Sequence, residues 1–226
     1  MPNTPKSTLP LTLLIITLML LAINMRSPIV MLGSVAPTLT DALGLSVSAI
    51  GLLGALPMPM FAFGALVAPM FAKRFGLESM MMMSSAVLAI SVLSRVWFGV
   101  GGLFIGTVIL SLAIGLLNAL SAPFIKKYAP NHIALATGVF SLSMSVYAGL
   151  CAYAVVPLMD VVAWQVALSW WGIFAVMTFF MLLFINKLNH TDASLITSTS
   201  SHFKVWKSKD AWYLGMYMGI QSLLFY

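Results

Sequence analysis

The stretch Ile23-Asn24-Met25-Arg26-Ser27-Pro28 lies in the middle of an apolar run from Leu9 to Leu39, and the character of the whole chain turns on it. An arginine at the centre of a membrane-spanning helix costs about 2.5 to 3.5 kcal/mol on insertion scales, and a guanidinium does not escape by shedding its proton. Arg26 must therefore face protein or water. Pro28 has no N–H to give the carbonyl four residues back, which belongs to Asn24. A freed carbonyl and a fixed cation thus share one turn, and interrupted helices at mid-depth are tolerated where they line a cavity. On a helical wheel the neighbours of Arg26 are Ala22, Ile29, Val30 and Gly33, of which Ala22 and Gly33 are small enough to leave space.

Composition agrees with a membrane setting. The 226 residues are 61% hydrophobic and 7% charged, whereas soluble domains average about 45 to 50% and about 25%. A net charge of +6 would suggest nucleic acid in a soluble domain, but here the cations sit in short gaps between apolar runs and no basic stripe with interleaved aromatics occurs. Nucleic acid is therefore not an expected partner; the bilayer is. One cysteine, Cys151, excludes a disulfide framework and reads as a small buried apolar residue. Lys6 ahead of an apolar stretch mimics a signal peptide, yet no small-x-small cleavage site follows and further spans come after.

Taken in order, a polar leader from Met1 to Pro10 precedes segment one, about Leu11 to Thr38, long enough to tilt or bend. Segment two covers about Val47 to Ala72, with Pro57 and Pro59 near its centre, and segment three about Ser79 to Val96. Gly99, Gly101 and Gly102 then read as a tight link into segment four, about Leu103 to Ile125. Segments five and six follow at about Ile133 to Pro157 and Trp164 to Ile185. The expected organisation is a six-helix transmembrane bundle over 1–185, a Ser/Thr-rich cytoplasmic linker over 186–210 and an incomplete seventh helix over 211–226. Ala211 to Tyr226 would reach about 24 Å as a helix, short of a hydrocarbon core about 30 Å thick.

Cytoplasmic loops carry the excess of Lys and Arg. With the N-terminus inside, Lys6, Lys73, Arg74, Lys126, Lys127, Lys187, Lys204, Lys207 and Lys209 all fall on that side, and only Arg95 lies outside. A multi-pass protein of the inner (plasma) membrane with a cytoplasmic N-terminus is expected. Six spans divide into two sets of three, and an odd repeat length inverts the second copy, as in many carriers.

None of the five acids, Asp41, Glu78, Asp160, Asp192 and Asp210, lies within one of the six expected spans. That removes a carboxylate proton relay from this part of the chain, and a cation in a cavity suits an anion or strongly dipolar solute. The competing reading of Arg26 is a structural cation held by carbonyls and by Asn24. Asn118 lies about 12 Å in from the expected cytoplasmic end of segment four and either shares a cavity with Arg26 or makes an interhelical hydrogen bond. Tyr147 is near mid-depth in segment five. Ser141 and Ser145, on one face of that segment, read as close packing or bonds back to the preceding turn.

The run Met80 to Met83 cannot converge on copper, because four consecutive helical positions point about 100° apart. His132, His190 and His202 have no ligand spacing with one another or with Cys151, so neither metal nor cofactor is implied. Trp206 among Lys204, Lys207 and Lys209 reads as an interfacial anchor. No G-x-S-x-G, H-E-x-x-H or glycine-rich phosphate loop occurs, and no catalytic residue is assigned; the chain does not read as an enzyme.

Several stretches are similar to a known family. Asn24-Met25-Arg26, Gly33-Ser34-Val35-Ala36-Pro37, Gly44-Leu45-Ser46, Leu56-Pro57, Ala68-Pro69 and Arg74-Phe75-Gly76-Leu77-Glu78 resemble the cyanate and 2-nitroimidazole permeases of the major facilitator superfamily. The resemblance continues through Gly115, Asn118, Pro123, Ile125-Lys126-Lys127 and Trp170, and Gly219 to Tyr226 looks like the start of that family's seventh helix. It implies a twelve-helix fold of two six-helix halves, alternating access, and a central cavity lined partly by helices one, four and seven. The candidate solute-binding set is then Arg26 with Asn24, Asn118, Tyr147, Gln221 and Tyr226. Where the superfamily usually has an aspartate between helices two and three this sequence has Lys73, which puts the usual conformational latch in doubt.

The sequence thus reads as an all-α membrane protein, the N-terminal half of a major facilitator fold with a truncated seventh helix. Its expected partners are a small solute and a second half-transporter chain. The alternatives are a multidrug-type efflux carrier and a non-transporting six-helix scaffold.

Overall fold

The computed structural model describes residues 9–189 together with Tyr213 and Met216. The chain divides into two units, Met1–Thr191 and Asp192–Tyr226; in the second, the two described residues are both helical. The rest of the expected linker and seventh helix lies outside the described residues.

Proline and glycine set the element boundaries of the first unit. Helix α1 (Leu11–Ser34) starts directly after Pro10 and stops at Val35, where Pro37 opens the short α2 (Ala36–Leu43). Gly44 ends α2 at φ 64°, in the left-handed region that costs a glycine nothing. Ser46 then caps α3 (Val47–Ala55) by accepting a hydrogen bond from the Ala49 N–H at 3.2 Å. The chain turns briefly at Leu56 before α4 (Pro57–Phe75), so Pro57 divides the second span as the sequence suggested. Gly76, at φ 87°, separates α4 from α5 (Leu77–Ser94). Next come α6 (Gly99–Tyr128), α7 (Ile133–Met159), the short α8 (Trp164–Ser169) and α9 (Gly172–Asn189).

Three expectations change. Helix α1 runs unbroken through Pro28 and is interrupted only at Val35, because its packed neighbours hold the proline-containing turn helical. Gly101 and Gly102 are not linker residues but belong to the first turn of α6. Helix α9 continues past Ile185 to Asn189.

Among the described residues, six segments are long and apolar enough to cross a membrane: Leu11–Ser34, Val47–Phe75, Leu77–Ser94, Gly99–Tyr128, Ile133–Met159 and Trp164–Leu188. Numbered one to six, span one packs on five and six, span four on two and three, and span three on six. Replacing each span by its counterpart three places along the chain leaves this pairing unchanged. Because successive spans alternate in direction, the second triplet is the first one inverted, the 3+3 repeat of the fold.

Close approach of α4 and α6 depends on two glycines. A Cβ on Gly64 would stand 2.8 Å from the Leu112 carbonyl oxygen, and one on Gly115 would stand 2.8 Å from the Phe61 carbonyl oxygen. Both obstacles are backbone, which cannot step aside as a side-chain tip can. Gly115→Leu is therefore expected to cost about 2 kcal/mol or more of bundle stability, read as a lowered melting midpoint in detergent. Gly138→Leu is the control, since nothing lies within 4 Å of a Cβ there. Equal midpoints for the two variants would contradict the packing described.

The ends of spans two, four and six carry Lys73 and Arg74, Lys126 and Lys127, and Lys187 in the last turns of α4, α6 and α9. Alternation places these ends on the side where α1 begins. There Glu78, buried in the first turn of α5, accepts from the Lys127 ammonium at 2.5 Å and from the Tyr128 hydroxyl at 2.7 Å. The Ser79 hydroxyl donates to Asn186 Oδ1 at 3.3 Å. These contacts tie α5 to α6 and to α9.

Candidate functional site

Arg26 is half-buried, on a stripe of α1 that continues through half-buried Ile29 and Val30 to exposed Gly33. A Cβ on Gly33 would meet nothing within 4 Å. Ala22, by contrast, is fully buried in the bundle core beside Leu18, Leu21 and Met25.

Helices α1, α6 and α7 are mutual neighbours. Counting from the ends on the side where α1 begins, Arg26 lies about 22 Å along α1, Tyr147 about 21 Å along α7 and Asn118 about 15 Å along α6. Arg26 and Tyr147 are therefore level, with Asn118 one to two turns shallower. Tyr147 is half-buried and packs against the apolar cluster that contains Ile23, Met31 and Cys151, whereas Asn118 is exposed. This helix group offers a planar cationic donor, an amide and a phenol. Gln221 and Tyr226 lie outside the described residues.

Asn24 has a different setting. It is 3% exposed, and its side-chain amide donates to the Leu20 carbonyl at 2.7 Å and to Thr178 Oγ1 at 2.9 Å. The Thr178 hydroxyl lies 2.8 Å from the Phe174 carbonyl oxygen and 3.1 Å from that of Leu20, within donating distance of both. Asn24 thus fastens α1 to α9. Ser145 donates back to the Ser141 carbonyl at 3.2 Å, the local bond expected of that spacing.

Arg95, expected on the outer side at the far end of segment three, closes α5 at that end, with its side chain turned inward. It is only 1% exposed, with Nη2 donating to the Pro28 carbonyl at 2.9 Å. Its Nε and Nη1 are buried without a hydrogen-bond partner. Room for its stem comes from Gly106, where a Cβ would collide with the Arg95 Cβ. The signal was legible in hindsight: Gly102 and Gly106 are one turn apart in α6, a spacing that lets another chain approach closely. Thr178 carried no comparable signal. Among the described residues no group of three or more His, Cys, Asp or Glu side chains could hold a metal ion.

Among the described residues, six spans in an inverted 3+3 arrangement, with a cation near the middle of the first, define a membrane bundle built on an inverted repeat. Residues 12–226 match the family model of the Major Facilitator Superfamily, and the chain belongs to that family. It is 32% identical to the uncharacterized transporter YycB of Bacillus subtilis (strain 168), over 94% of this chain and 53% of that protein. It is 30% identical to the 2-nitroimidazole transporter of Escherichia coli (strain K12), over 94% of this chain and 54% of that protein. Identity to the cyanate transport protein CynX of the same organism is 26%, over 92% and 54%. The resemblance carried by the sequence motifs is thus borne out, and the chain spans about half the length of these relatives. The inward-open xylose transporter XylE of E. coli superposes with a TM-score of 0.53 at 18% identity, over 80% of this chain and 47% of that one, which shows the shared fold.

Proposed function

We propose that this chain forms the N-terminal six-helix half of an alternating-access carrier in the inner membrane, and that the carrier moves a small anionic or strongly dipolar solute of the cyanate or nitroimidazole kind. The observation that carries this is Arg26, a cation at mid-span on the half-exposed stripe of α1, level with Tyr147. The names of two relatives supply the solute class. Small anions should compete for uptake, and loss of Arg26 should stop it; an efflux carrier for apolar drugs would tolerate both.

A second six-helix half is the proposed partner. Spans two and five pack mainly on one neighbour each and bury the smallest shares of their apolar windows, 17% in Val47–Phe75 and 28% in Ile133–Met159. Their open apolar faces suit another helical bundle as well as lipid. Orientation is proposed with the N-terminus in the cytoplasm, on the strength of the basic ends of α4, α6 and α9. Single cysteines at Asp41 and Ser200, in a Cys151→Ala background, are expected to react with an impermeant thiol reagent from opposite sides of the membrane. Labelling of both from one side would overturn this topology.

A further inference from the structure

Arg26 stands between two polar fastenings of α1. Asn24, two residues before it, is held by Thr178 of α9, and the carbonyl of Pro28, two residues after it, is held by Arg95 at the end of α5. Positions 24 and 28 are one turn apart and share a face, while position 26 is about 200° round from the first, on the opposite side. Burial follows the same division: Asn24, Ser27 and Pro28 are buried and Arg26 is half-buried. The apolar surface of α1 is a weak guide to rotation, since Leu, Ile, Met and Ala recur all round it. Directional bonds define a rotation where a uniformly apolar surface does not.

We propose that Arg95 and Thr178 are positioning residues for Arg26, gripping the 24/28 face of α1 from two different helices and so fixing the rotation that turns Arg26 toward the solute path. The proposal rests on the reading that Arg26 meets the solute. It accounts for a guanidinium buried to 1% that spends its hydrogen bond on a backbone carbonyl. It also gives Gly106 a purpose, because any larger residue there would push Arg95 off Pro28.

The test reads rotation directly, without any solute. In the 226-residue chain in membrane vesicles, with Cys151→Ala as background, single cysteines replace Met25 or Arg26 and their rates of reaction with a small water-soluble thiol reagent are compared. Met25 is 4% exposed, so with both fastenings intact the cysteine at 26 should react roughly tenfold faster than the one at 25. Thr178→Val, which keeps the shape and loses the hydroxyl, and Arg95→Met should each bring the two rates within about threefold of one another, and Thr178→Ser should restore the difference. A melting midpoint close to that of the parent identifies variants that are folded. An unchanged ratio in folded Thr178→Val and Arg95→Met would overturn the proposal. Loss of the ratio without restoration by Thr178→Ser would overturn it too, since it would mark general loosening.

Cyanate binding, measured separately with Arg26 in place and the chain completed by a second half, keeps the two readings apart. A ratio that collapses while cyanate affinity holds would leave the fastenings established and remove Arg26 from the solute site.

Discussion

Arg26→Met is expected to weaken cyanate binding by at least about thirtyfold, and Arg26→Lys by about tenfold. A guanidinium offers a carboxylate-like or linear anion two parallel N–H donors together with its charge, and a charge-assisted pair of that kind in a poorly hydrated site is worth about 2 to 5 kcal/mol on truncation. Each factor of ten corresponds to about 1.4 kcal/mol. Lysine keeps the charge and loses the planar fork, so it forfeits part of this; methionine keeps only the stem and forfeits all of it. The measurement is equilibrium binding to the chain completed with a second six-helix half, with insertion and melting checked for each variant. Wild-type affinity in a correctly inserted Arg26→Met protein would remove Arg26 from the site. An uncharged apolar solute serves as the comparison, because its binding should change little.

How much of this was legible in the sequence varies with the physics behind each feature. The six spans follow from length and hydropathy, which depend on residues one at a time, and the breaks at Leu56 and Gly76 follow from proline and glycine. Family motifs extended that reading to the whole fold. Three-dimensional partners were harder. The Gly102 and Gly106 spacing marks a place of close approach, but it does not name Arg95 as the side chain that fills it or the Pro28 carbonyl as what that side chain reaches. Asn24 and Arg26 lie only two apart in sequence, yet positions two apart on a helix face nearly opposite ways, and only the position of Thr178, 154 residues later, shows which way Asn24 turns. Pro28 was expected to break α1, since sequence shows the missing donor but not the packing that keeps the turn helical.

Transport activity should be all or none with respect to a second bundle. Alternating access is largely the rocking of one bundle against another around a fixed site. The described residues make one such bundle, and the relatives are about twice as long as this chain. A single six-helix unit has one wall of a cavity and nothing to close it against, so it should insert without moving solute. Pairing it with a second half should supply the opposing wall, and the restored flux should still require Arg26.

Uptake of labelled cyanate and 2-nitroimidazole into liposomes decides whether this chain is one half of a carrier whose solute meets Arg26. The chain is reconstituted alone at less than one copy per vesicle, and in parallel with a complementary six-helix half. The chain alone is expected to give no saturable uptake above protein-free liposomes, and the pair saturable cyanate uptake that Arg26→Met abolishes. Saturable uptake by the single chain, or uptake by the pair that survives Arg26→Met, would contradict that assignment.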